Sequence, residues 1–117
     1  MENVICNSIA FHLINRKNLI KIMEGIDKTD CRYGDVILYK CENCNTFWLY
    51  YHLEYESYSR SGRWFFGEIK KEDVENMTPE NAIMALEKAE KAFCGGSYFN
   101  SSGEEFKMEK GLLRLFL

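Results

Sequence analysis

Cys41 and Cys44 stand three apart in Tyr39-Lys40-Cys41-Glu42-Asn43-Cys44-Asn45, the spacing at which two thiolates on one turn hold one side of a zinc ion. A tetrahedral site needs two more donors. Cys31 and His52 flank the turn in sequence but lie down the neighbouring strands, at roughly 3.3 Å per residue and so about 20 Å from the tip. That leaves Cys6 and Cys94 as the thiols able to complete the set. A thioredoxin-like role fits poorly, because the motif is flanked by strand-forming residues and has no helix N-terminus to lower a thiol pKa. No metal or other cofactor is expected.

Other residues with chemical potential lack companions. His12 and His52 sit in apolar or alternating stretches, with no nucleophile or acid spaced to act with them. Gly95-Gly96-Ser97 follows a helix-like segment, whereas a phosphate cradle precedes one. Ser101-Ser102-Gly103 reads as a flexible turn. The chain is expected not to be an enzyme.

Carboxylates and rings form the more informative constellation. Glu54 and Glu56 share one face of a predicted strand, Glu68 falls on the next strand, and Glu72 and Asp73 follow closely. Tyr50, Tyr58 and Trp64 lie among them. An acidic surface gains association rate from charge, and buried rings supply holding power. The candidate partner-binding residues are therefore Glu54, Glu56, Tyr58, Trp64, Glu68, Glu72 and Asp73.

These residues need elements to position them. Asp35–Lys40, Thr46–Tyr58 and Arg63–Lys70 read as three strands joined by turns too short for parallel crossovers, which makes an antiparallel meander. In the second strand the odd positions Phe47, Leu49, Tyr51, Leu53 and Tyr55 form one apolar face. The even positions run from Trp48 and Tyr50 to His52, Glu54 and Glu56. Arg16 to Glu24 is predicted helical, with Asn15 as N-cap and Gly25 beyond its end. A second helix is predicted from Thr78-Pro79, with Ala82, Ile83, Leu86, Ala89 and Phe93 as its apolar stripe and Gly95-Gly96 as its stop. The expected fold is α+β, an antiparallel meander sheet of about three to five strands with one or two helices packed on one face. Residues 1–117 are expected to form a single domain.

Composition narrows the partner. The net charge of −3 argues against a nucleic-acid binder, which needs a basic stripe to displace counterions. Five cysteines at uneven spacing do not make a disulfide framework, and thiols persist in a reducing compartment, so a cytoplasmic location is expected. Ile9–Ile14 is too short for a signal peptide core and precedes its basic residues, and no apolar run approaches membrane-spanning length.

Residues 34–99 have a familiar texture: Tyr39-Lys40-Cys41-x-x-Cys44, Trp48-Leu49-Tyr50-Tyr51, Ser61-Gly62-Arg63-Trp64-Phe65, Thr78-Pro79-Glu80-Asn81-Ala82-Ile83 and Phe93-x-Gly95-Gly96-Ser97-Tyr98-Phe99. The stretch resembles the small cytoplasmic immunity proteins that bacteria encode beside polymorphic or contact-dependent toxins. The resemblance implies a small acidic protein that blocks the C-terminal domain of one cognate toxin, often a nuclease, by tight non-catalytic binding. A zinc-stabilised adaptor built on Cys41-x-x-Cys44 is the alternative.

Overall fold

The computed structural model describes residues 18–29, 32–42, 45–53, 62–89 and 91–96, and the backbone of 106–107. Five strands run antiparallel in chain order, β1 (Leu19–Asp27), β2 (Gly34–Cys41), β3 (Phe47–Leu53), β4 (Arg63–Ile69) and β5 (Ala92–Gly95), with a two-residue β6 (Phe106–Lys107) beside β5. Between β4 and β5 come α1 (Lys71–Val74), a 3-10 turn (Pro79–Asn81) and α2 (Ala82–Glu87). The architecture is α+β and mostly sheet, with the expected meander at its centre.

Strand alternation divides β3 as its sequence predicts. Leu49, Tyr51 and Leu53 face the helices and join Val36, Leu38, Phe65, Ile69, Ala92 and Cys94. Ala82, Ile83, Ala85, Leu86 and Ala89 close this core from above. Small side chains on α2 let it approach the sheet, so burial rather than helix propensity holds so short a helix. Pro79 reaches β1 as well: a methyl added at Gly25 would lie 2.5 Å from the Pro79 ring. Gly25→Ala is expected to lower stability by about 1–3 kcal/mol, as overpacking against a rigid ring does, measured by urea denaturation.

Two predicted elements differ. The helix expected over Arg16–Glu24 is replaced, in its described part, by β1; Asn15 and Arg16 lie outside the described residues. Ile20, Ile22 and Ile26 are β-branched and favour a pleated surface, and pairing with β2 satisfies the backbone along Leu19–Asp27. The second helix is also shorter than its stripe. It ends at Glu87, and Phe93 belongs to β5, paired with Phe66. Thr78 does cap the segment, but what it opens is the 3-10 turn Pro79–Asn81, with Asn81 Oδ1 accepting from the Thr78 backbone N–H at 2.8 Å, and the α-helix begins only at Ala82. Among the described residues, no helix is long and apolar enough to cross a membrane.

Candidate functional site

The sheet face opposite α2 can be read off the strand register in three rows. Ile26, Asp35, His52, Trp64 and Gly95 lie in the first, Glu24, Ile37, Tyr50, Phe66 and Phe93 in the second, and Lys21, Tyr39, Trp48 and Glu68 in the third. Rings dominate the middle. Trp48 stacks on Phe66 with centroids 5.0 Å apart and planes 8° apart, and Tyr39 tilts against Phe66 at 6.5 Å. Cys41, Trp48, Phe66 and Phe93 are buried, while Leu19, Tyr39, Tyr50 and Trp64 pack around them half-buried. This face therefore has a second aromatic core with a partly accessible rim. Trp48 is fully buried, yet among the described residues its Nε1–H has no hydrogen-bond acceptor.

At one end of this face lies an open depression lined by Glu24, Gly25, Ile26, Asp35, Val36, Ile37, Tyr50 and His52. Tyr50 and His52 stack at 6.4 Å, and His52 Nδ1 is 3.6 Å from Asp35 Oδ2. No serine, threonine or cysteine lines it among the described residues. At the far end of β4 a second depression is lined by Glu68, Ile69, Lys70, Glu72, Asp73, Ala85, Lys88 and Ala89. There Lys88 Nζ approaches Asp73 Oδ1 at 3.5 Å.

The sequence-predicted residues are thus partly gathered. Glu68, Glu72 and Asp73 share the second depression, although Asp73 is partly engaged by Lys88. Trp64 lies on the same sheet face as Glu68, four residues along β4 and roughly 13 Å away at strand rise. Its indole covers Gly95, where an added methyl would sit 2.7 Å from the ring. Glu54, Glu56 and Tyr58 lie outside the described residues.

The thiols separate. Cys41 joins the aromatic cluster, whereas Cys94 joins the helix-side core on the other face of the sheet. Both are buried and reduced. A sheet between them prevents Cys94 from completing a metal site with Cys41, which corrects that half of the zinc alternative. Cys6 and Cys44 lie outside the described residues. Burial pushes the Cys94 thiol up to about 12, so it is inert as a nucleophile. Among the described residues no three His, Cys, Asp or Glu side chains group to hold a metal.

One polar cluster was absent from the sequence reading. Asp27, at the end of β1, is completely buried. Its Oδ2 accepts from the Tyr51 hydroxyl at 2.7 Å and from Arg32 Nη2 at 3.3 Å, and its Oδ1 accepts from the Thr29 N–H at 2.9 Å. Arg32 Nε also donates to the Tyr51 hydroxyl at 3.3 Å. Burial pushes the Asp27 carboxyl up, but the hydrogen bonds from Thr29 and Tyr51 and the Arg32 charge outweigh it and hold the carboxyl below its ordinary value. Burial, reinforced by the bond to Asp27, pushes the Tyr51 phenol up. Gly34 makes room for this arrangement, since a methyl there would lie 2.4 Å from the Tyr51 ring. Asp27 followed two residues later by Thr29 is the local signal, a carboxylate bonding a backbone N–H within a turn. The cluster pins the β1–β2 hairpin to β3, and so fixes the rim that carries Glu24, Ile26 and Asp35.

No family model, curated protein or solved structure matches this chain.

Proposed function

We propose that the chain is a non-catalytic protein-binding domain acting in the cytoplasm, and that it neutralises a toxin domain as an immunity protein. The observation that carries this reading is the sheet face opposite α2. It presents part-buried Tyr39, Tyr50, His52 and Trp64 beside Glu24, Asp35 and Glu68. Aromatic rings held by a sheet lose little entropy on contact, and carboxylates around them draw in a basic partner and orient it. Both depressions are open, the first at the edge of that surface and the second between the end of β4 and the helices, which suits protruding side chains of a partner better than an enclosed substrate. The partner is the toxin's C-terminal domain, with a basic cleft that Glu68 and Glu72 answer and Trp64 helps to cover; Glu54, Glu56 and Tyr58 remain assigned to the same surface by the sequence alone. Inhibition of this kind needs a Kd of about 1 nM or below, near −12 kcal/mol. Exposed ion pairs supply too little of that, so the rings must carry most of it.

Two substitutions separate these contributions. Tyr50→Ala is expected to raise Kd roughly 30-fold, as loss of an interface anchor does, with the increase in the dissociation rate. Glu68→Lys with Glu72→Lys is expected to slow association about tenfold at low salt and to lose that effect at high salt. Surface plasmon resonance at two ionic strengths reads both. Unchanged kinetics in both variants, each still folded by circular dichroism, would exclude this face as the interface.

A further inference from the structure

We propose that the chain self-associates through β1, two copies pairing antiparallel about a two-fold axis at Met23 so that their sheets join edge to edge. Among the described residues β1 is the outermost strand and pairs with β2 alone. The other side of such a strand presents backbone N–H and C=O groups, and proteins usually blunt it with short length, proline or inward charge. β1 carries an exposed lysine, Lys21, and a bulge at Ile22, which also blunt edges, but not the other devices. It is nine residues long, has no proline, and leaves Ile20, Ile22 and Ile26 between 41% and 45% exposed.

The charges name the occupant. A two-fold antiparallel pairing must set one residue opposite its own copy. The register with β2 jumps between Lys21 and Met23, so Ile22 is an extra residue and does not count as a strand position. With Met23 on the axis, Lys21 then falls opposite Glu24 of the second copy, and Glu24 opposite the second copy's Lys21. Both side chains lie on the face opposite α2, because they pair with Tyr39 and Ile37. Their heads already meet within one chain at 3.4 Å and are 52% and 59% exposed. The same register sets Ile20 against Gly25 and Leu19 against Ile26, so no like charges meet. A second copy of this strand is its own complement in shape, hydrophobicity and charge. This inference does not depend on the proposed toxin binding.

Sedimentation velocity on the full chain tests it, over about 1–200 µM, the range of weak to moderate self-association. Wild type is expected to shift from monomer to dimer mass with concentration. Lys21→Glu is expected to weaken the dimer roughly tenfold, since two cross-strand attractions become repulsions. Lys21→Glu with Glu24→Lys is expected to restore it. Hydrogen exchange of the β1 amides should slow with concentration in wild type and in the double variant. Monomer mass throughout, as an edge already paired within its own chain would give, overturns the proposal. So does a double variant no stronger than the single one, or β1 exchange that ignores concentration.

Discussion

Asp27→Ala is expected to destabilise the fold by about 3–5 kcal/mol, the cost of breaking a buried ion pair by removing one partner. Asp27 is wholly buried and the Arg32 side chain is only 11% exposed, so water cannot replace the lost carboxylate. The Tyr51 hydroxyl loses its acceptor in the same step. Arg32→Met and Asp27→Ala together are expected to cost less than the sum of the two single losses, because each removes the same ion pair. A urea-denaturation cycle over the four proteins measures the coupling. The same carboxylate gives the fold an acid limit. Its pKa is lower folded than unfolded, so its contribution is fully present above the unfolded value near 4 and fades as pH falls through that value towards the folded one. Wild type should lose urea resistance below about pH 4.5, and Asp27→Ala should lack this part of the acid dependence.

Trp48→Ala is the second large effect, expected at about 3–5 kcal/mol, comparable to Phe65→Ala on the helix side. The equality matters because Trp48 and Phe65 point to opposite faces of the sheet. A fold with one core under α2 and a solvated second face would lose little from Trp48. Trp48→Phe should cost less than its lost volume implies, since it also removes a buried N–H that has no acceptor among the described residues. Thermal melts of the three variants rank these costs. If Trp48→Ala is nearly neutral while Phe65→Ala unfolds the chain, the second aromatic core is not a source of stability.

The sequence made the central sheet legible because its signals are local. Phe47, Leu49, Tyr51 and Leu53 alternate without interruption, and short turns leave only antiparallel pairing. β1 escaped for a physical reason. The extra residue Ile22 breaks the two-residue period, and Leu19, Ile20 and Met23 then imitate one face of a helix. Phe93 misled in the opposite way. It is buried, as its place in the helical stripe implied, but against Trp48 and Phe66 on the other side of the sheet. All four residues of β5 are buried, so no alternation marks it as a strand. Of the site, Glu68, Glu72 and Asp73 were legible as a group because they are close in sequence. The four-strand row of Asp35, His52, Trp64 and Gly95 was not, since it exists only once register is fixed. Nothing local marks Asp27 as buried, because the Tyr51 hydroxyl that bonds it comes from 24 residues away.

Calorimetric titration against the proposed partner, a basic C-terminal toxin domain, tests the central claim most directly. Binding through the aromatic sheet face predicts a one-to-one complex with a Kd of about 1 nM or below, loss of the toxin's activity on mixing, and marked weakening by Tyr50→Ala. An absence of heat and of inhibition at micromolar concentrations, with both proteins folded, contradicts it.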